Sequence, residues 1–428
     1  MKIPQFLLRG AMLAAFVTIS ESSLFGAAII LHQFTGSTTD GSSPQGSLAV
    51  SGSGLIGMTQ LGGSANTGSV FAINLDGSGY TQLHSFVGGA SDGLRPYGSL
   101  LVSGSITYGM TANGGSATGG QGTLFKMNTN GTGFGLLHSF AGTSADGGIP
   151  LGVPWLAGST LYGTTQQGGS AGDGTVFKVN TDGSGFGLVH TFTSSDGYFP
   201  NGSLAANGGT FYGTTNQGPG GGDGAIFKMN TDGSGYSLIH SFSFNHTEGT
   251  NPHGSLTLAN GMLYGTATQY GSGIGVSGTI FRLNLDGSGF QVLHSFTGSG
   301  NGTTGNLNDG REPEGSLTVV GTTLFGTTRQ GGASANGTVF QMNLDGTGFQ
   351  LLHSFSGTSD GRYPLGDVTY TNGNLYGMTS EGGTSNKGTV FAVATPEPSA
   401  ASLMLCAGSA AFIGRRRRQC DAGNSGKF

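Results

Sequence analysis

Two cysteines in 428 residues, Cys406 and Cys420, leave this chain no disulfide framework. Both lie close to the C-terminus, so the body must hold together by packing alone. Charged side chains are also few, at 9%, while aromatics reach an ordinary 9%. That balance excludes a disordered chain kept open by its own charge. Between residues 29 and 395, nine Lys and Arg stand against eighteen Asp and Glu, a net of −9. A mildly acidic body without basic patches argues against nucleic acid as a partner. Helix signals are nearly absent from residues 30–393.

What the chain has in excess is glycine, with 87 residues, about three times the usual share. No Gly-X-Y period runs through them, which excludes collagen. Gly, Ser, Thr and Asn instead separate short apolar runs, the composition of many strands and many turns. The stretch 174–192 shows the unit. Val176 and Phe177 open a β-prone run, Asp182-Gly183-Ser184-Gly185 supplies a tight turn, and residues 186–192 are apolar again. The same hairpin returns at 68–86, 122–140, 224–242, 278–296 and 337–355. Its first half recurs alone at 388–394 and its second half alone at 28–34.

Each unit carries two further runs before the hairpin. The first follows a Pro-x-Gly step, as in Pro96-Tyr97-Gly98-Ser99-Leu100, and the second resembles Leu161-Tyr162-Gly163-Thr164-Thr165. A recurrent histidine at 32, 84, 138, 190, 240, 294 and 353 gives spacings of 52, 54, 52, 50, 54 and 59. Four short strands in about 50 residues is the period of a propeller blade. Short turns join runs one to two and three to four, and the longest link follows run four. A blade therefore begins innermost at Gly-Ser-Leu and ends outermost at Leu-His-Ser-Phe. The sequence predicts an all-β, seven-bladed β-propeller over residues 28–394, with four-stranded blades. The orphan strand at 28–34 completes the last blade and closes the ring.

Little in the repeats points to chemistry. The seven histidines fall one per blade on the outermost strand, too far apart to converge on a metal, and read as packing with a hydrogen bond. The recurrent Asp of the blade links (Asp40, Asp92, Asp146, Asp196, Asp309, Asp360, with Glu248 in the fourth link) reads as a turn cap. The Asp-Gly-Ser-Gly steps are hairpin turns, too short for a calcium loop. No helix follows the glycines to make a phosphate loop, and no serine stands in a nucleophile elbow. No catalytic residue, metal or cofactor is expected. Two segments break the period, 297–312 and 268–277, and Asp309, Arg311, Glu312 and Glu314 form the one dense charge cluster. Blade links and second-to-third-strand loops share the propeller face where ligands bind, so these four make a candidate ligand-binding loop.

The two ends read as addresses. Residues 1–27 carry Lys2 and Arg9 before the apolar stretch 10–19, the pattern of a signal peptide. Residues 395–419 begin with Pro396-Glu397-Pro398, continue apolar over 400–413 and reach Arg415, Arg416, Arg417 and Arg418; a polar tail, 420–428, follows. The sixteen residues 399–414 would span roughly 24 Å as a helix, slightly short of a hydrocarbon core. Arginines at its end predict a transmembrane helix that stops with them on the cytoplasmic side.

This order closely resembles the PEP-CTERM sorting signal of Gram-negative bacteria. The resemblance implies recognition and processing by exosortase at the envelope. The pattern Leu-Tyr-Gly-Thr-Thr…Gly-Gly…Gly-Thr-Val-Phe-Lys looks like a distant kelch-type blade. More specifically the unit resembles the GloVer tandem repeat of cyanobacterial and verrucomicrobial surface proteins, over residues 28–394. That resemblance implies a surface location but no established chemistry. The expected function is a non-catalytic binding or scaffolding module on the cell envelope, with exopolysaccharide as the candidate partner. A glycan-acting propeller enzyme and a purely structural surface-layer component are the alternatives.

Overall fold

Each blade forms around its third strand. In Thr175–Asn180, Thr175, Val176, Phe177 and Val179 are buried and Lys178 is exposed. Both faces of such a strand are covered by neighbouring blades, so its apolar run is nearly continuous rather than alternating. It pairs in full antiparallel register with Thr160–Thr165, from Thr160 opposite Asn180 to Thr165 opposite Thr175.

The computed structural model describes residues 27–396, except 117–118, 244, 272–276 and 299–308. They form the expected seven blades. Blade 1 comprises Ala49–Ser51, Gly54–Thr59, Ser69–Asn74 and Thr81–Ser85, in that order from the axis outward. Blades 2 to 6 begin at Leu101–Ser103, Trp155–Ala157, Ala205–Asn207, Thr257–Ala259 and Thr318–Val320. They end at Gly135–Ser139, Gly187–Thr191, Ser237–Ser241, Gln291–Ser295 and Gln350–Ser354. Blade 2 gains a fifth strand, because its long second strand Ile106–Gly114 also pairs with Gly93–Pro96 of the preceding link.

Blade 7 contributes Thr369–Thr371, Asn374–Thr379 and Thr389–Ala394, and its outer strand is Ile29–Gln33. Ile29 stands opposite Ala392 and Gln33 opposite Thr389. The expected closure by the N-terminal strand is therefore present. The apolar side chains lie in seven layers between blades. The closing layer joins Phe34, Tyr376, Met378, Val390 and Ala392 of blade 7 to Leu48, Leu55, Phe71 and Ile73 of blade 1.

The waist of the ring explains the Pro-x-Gly steps. Gly46, Gly98, Gly152, Gly202, Gly254, Gly315 and Gly366 line the central channel. A Cβ on Gly98 would press into the carbonyls of Leu151 and Gly152, and one on Gly366 into the carbonyl of Gly46. Only glycine lets seven inner strands approach the axis so closely. Hydroxyls then stitch neighbours together: Ser47 N donates to Ser99 Oγ at 2.6 Å, Ser203 N to Ser255 Oγ at 2.8 Å and Ser255 N to Ser316 Oγ at 2.9 Å.

The last strand ends at Ala394, two residues before Pro396, as expected from a residue that cannot donate to a ladder. Glu397, Pro398, Arg415, Arg416, Arg417 and Arg418 lie outside the described residues, as does all but Ala27 of the predicted signal peptide. The predicted transmembrane helix and polar tail also lie outside them. Among the described residues no helix is long and apolar enough to cross a membrane.

Candidate functional site at the channel mouth

The residue before each blade proline adopts a left-handed backbone. The φ values are 51° at Ser43, 56° at Arg95, Ile149 and Glu312, 57° at Phe199, 54° at Asn251 and 59° at Tyr363. That conformation costs a side-chain-bearing residue about 1–2 kcal/mol, and a following proline adds its own restriction. The surroundings fix it from both sides. Tyr363 N donates to Asn336 O at 2.8 Å, and Tyr363 O accepts from Ser380 N at 3.0 Å; Phe199 repeats this with Asp173 and Asn216 at 3.0 and 3.2 Å. In so glycine-rich a chain, glycine would relieve the strain, yet none of the seven blades uses it. All seven residues stay at least partly exposed, and they differ in chemistry from blade to blade. Sequence reading passed over them because nothing but the following proline marks them.

Just inside this ring, the middle residues of the Pro-x-Gly steps line the channel: Gln45, Tyr97, Leu151, Asn201, His253, Glu314 and Leu365. The channel holds about 90 Å³, far below the ~300 Å³ of a small-molecule pocket, so a ligand would rest on the mouth rather than enter. Burial pushes the Glu314 carboxyl upward, against the pull of Arg329, and the carboxylate of Glu312 adds to the rise. Burial likewise raises the Tyr97 phenol, helped by Glu314. His253, to which the sequence assigned no role, contacts the Glu314 backbone, and burial lowers its pKa. Deeper in, Asp367 stands where five other blades carry serine and blade 3 carries Val153. Its carboxyl is raised by enclosure and accepts a hydrogen bond from the Ser47 hydroxyl.

The four residues of the candidate binding loop do not stay together. Asp309 turns outward to His294, with Oδ2 at 3.1 Å from Nε2. Arg311 donates to Gln330 Oε1. Glu312 and Glu314 both reach Arg329 Nη1, at 3.0 and 3.6 Å. Arg329 and Arg362 both lie over the Tyr363 ring, 5.6 and 5.2 Å from its centroid. The structure thus exchanges Asp309 for Arg329, Arg362 and Tyr363, which the linear spacing could not bring next to Glu312.

Asp309 belongs to a sevenfold device at the outer rim. The fourth strand of every blade carries a bulge just before its histidine; in blade 1 the register skips Leu83 between His84 and Gln82. The bulge aims the ring at the next blade link. There Nε2 meets a carboxylate at 3.1 Å in His32–Asp40 and His84–Asp92, and at 3.0 Å in His138–Asp146 and His353–Asp360. The distance lengthens to 3.5 Å in His190–Asp196 and 3.3 Å in His240–Glu248. The same Asp caps its link, as Asp40 does by accepting from Thr35 N at 2.8 Å. Packing histidine and turn-capping Asp, expected separately, are one interaction. Six of the rings also stack on an aromatic of the following blade, such as Phe134 on His84 at 3.9 Å. At the seam with the N-terminal strand, Ala28 holds the position of that aromatic, and no such stack on His353 occurs among the described residues. Likewise among the described residues, no group of three or more His, Cys, Asp or Glu is placed to hold a metal.

The clamp on Asp360 sets an acid limit. Burial alone would raise the Asp360 carboxyl, but hydrogen bonds from His353 and Ser356 hold it down to about 2. A depressed carboxylate contributes stability above its unfolded value of 3.8 and loses it as pH falls toward the folded one. Thermal melts between pH 4 and pH 2 should show this loss. Asp360→Asn should melt lower at pH 7, by about 1 kcal/mol after solvent screening, and lose less over the acid window.

The repeat itself identifies the chain's kin. The family model described as the Gloeobacter/Verrucomicrobia repeat matches residues 18–153, 104–307 and 302–415. The chain belongs to this family. No curated protein matches it. Among solved structures, an oligogalacturonate lyase in complex with manganese superimposes with a TM-score of 0.51 at 11% identity, over 84% of this chain and 90% of that one. A putative 6-phosphogluconolactonase from Bacteroides uniformis gives 0.47 at 16%, over 78% and 89%. A chain of a nidogen/laminin complex gives 0.39 at 16%, over 60% and 81%. At such identities the likeness concerns the fold alone. For the Gloeobacter/Verrucomicrobia repeat, function has to be argued from the mouth.

Proposed function

We propose that this member of the Gloeobacter/Verrucomicrobia repeat family is an exported, envelope-anchored propeller that binds or scaffolds exopolysaccharide at the channel mouth without catalysis. The observation that carries this is the ring of seven strained, side-chain-bearing residues before the prolines. Strain retained at variable, accessible positions is a mark of recognition rather than of folding. Amides and aromatics around the mouth, such as Gln45, Asn201, Phe199 and Tyr363, suit a hydroxyl-rich ligand with flat apolar faces. The order Pro396-Glu397-Pro398, apolar stretch and Arg415–Arg418 supports processing by exosortase and a membrane stage on the way to the surface. The blades would then be kelch-like in pattern and surface-exposed in use.

A glycan array probed with the full-length chain tests the binding, with released sugars assayed in parallel. The expected result is retention on a polysaccharide without turnover, weakened at least about tenfold by Tyr363→Ala. The paired carboxylates Glu312 and Glu314 favour a second reading, a glycan-acting enzyme, although Arg329 bridges them in place of a scissile bond. Turnover abolished by Glu314→Gln would establish that reading instead. For the address, cell fractionation should find the chain in the envelope, and replacement of Arg415–Arg418 by alanine should change its fractionation.

A further inference from the structure

Blade 5 departs from its siblings at one outer point of the same face. Three residues beyond Thr59, Thr111, Thr165, Thr215, Thr328 and Thr379 of their second strands, the blades carry Gly62, Gly114, Gly168, Gly218, Gly331 and Gly382; three beyond Ala267, blade 5 carries Tyr270. Five of those glycines are left-handed, with φ from 82° to 91°, and a Cβ on any of the five would press into the backbone of the preceding link. Tyr270 keeps the left-handed backbone, at φ 57°. In the link before it, His246 is left-handed too, at φ 59°. The two rings stack, with centroids 4.3 Å apart and planes 29° from parallel. Behind them Asp223 Oδ2 lies 3.2 Å from His246 Nδ1.

This strain serves no burial, because Tyr270 remains 51% exposed, one of few large apolar side chains so placed among the described residues. Two residues held in an unfavourable backbone to support one accessible ring make a preformed platform. Gln269 precedes it, and Asn245 and Thr247 flank His246; all three are uncharged and exposed, with the Thr247 hydroxyl donating to Asn245 Oδ1 at 2.8 Å. The Asp223 carboxylate beneath it faces the His246 ring. An electron-rich aromatic face on two loops that also carry exposed amides fits the C–H face of a pyranose ring and its equatorial hydroxyls. It offers nothing to select a carboxylate or a phosphate.

We propose that Tyr270, backed by His246, is a stacking subsite for a neutral hexopyranose unit. Resting on the polysaccharide reading above, it extends the binding surface from the channel mouth to the rim between blades 4 and 5. The test uses the full-length chain in affinity electrophoresis through gels containing a neutral polysaccharide (xyloglucan, galactomannan or dextran) or polygalacturonate. Wild type should be retarded by a neutral polymer and not by polygalacturonate. Tyr270→Phe should keep the affinity within about twofold, while Tyr270→Ala and Tyr270→Gly should weaken it about tenfold. Tyr270→Gly should also melt no lower than wild type, since glycine relieves the backbone strain; that readout shows the lost affinity is not lost folding. Unchanged retardation of Tyr270→Ala, with Tyr363→Ala still impaired, overturns this subsite and leaves the channel-mouth reading standing. Preference for polygalacturonate overturns the neutral-sugar assignment, and no retardation by any polymer overturns both readings.

Discussion

Deleting residues 28–34 should abolish the cooperative thermal transition or move it by more than about 10 °C. This segment is the outer strand of blade 7, hydrogen-bonded along Thr389–Ala394. It also brings Phe34, fully buried, into the layer between blades 7 and 1. Loss of a buried phenylalanine alone costs about 3–5 kcal/mol, and the deletion adds an unpaired strand edge to that. Since whole domains are stable by only about 5–15 kcal/mol, the ring should open. A peptide of residues 27–36 added in excess should restore part of the transition by pairing with the exposed edge. A melting curve unchanged by the deletion would mean that blade 7 does not depend on its N-terminal strand.

The second large effect is expected at the waist. Gly98→Ala places a methyl group against two backbone carbonyls of the next blade, which cannot move without shifting an inner strand. A cost above about 3 kcal/mol is expected, read as a fall in denaturation midpoint. Gly202→Ala should cost clearly less, because its Cβ would sit 3.1 Å from Gly254 O. Gly135→Ala, with nothing within 4 Å and no left-handed φ, should be close to neutral. This order, Gly98 worst and Gly135 mildest, tests whether glycine marks close approach rather than mere flexibility. Equal costs at all three would contradict it.

Repetition made the frame legible in the sequence. Seven copies of a histidine, six whole hairpins and two half hairpins fix blade number, strand order and ring closure, because each copy must bury the same face against its neighbour. The clamp of His84 on Asp92 was visible only as two separate regularities, eight residues apart. A bulge had to re-aim the ring before they could meet, and a bulge leaves no clear sequence sign. The site was harder still. Glu312 and Glu314 stand out by charge, but their partner Arg329 comes from the loop after another strand. The left-handed residues before the prolines look like ordinary variation, since backbone strain is a property of the fold and not of composition. Tyr270 stands where six blades carry glycine, and its stack on His246 joins two loops that the linear sequence keeps apart.

All seven residues before the prolines can be replaced by glycine in one variant: Ser43, Arg95, Ile149, Phe199, Asn251, Glu312 and Tyr363. If these side chains exist for recognition, the variant should melt within about 5 °C of wild type, because relief of strain offsets the greater freedom of glycine in the unfolded chain. It should bind no polysaccharide that retards the wild-type chain. A variant that unfolds, or one that binds as tightly as wild type, would contradict the claim that the channel mouth is this protein's binding face.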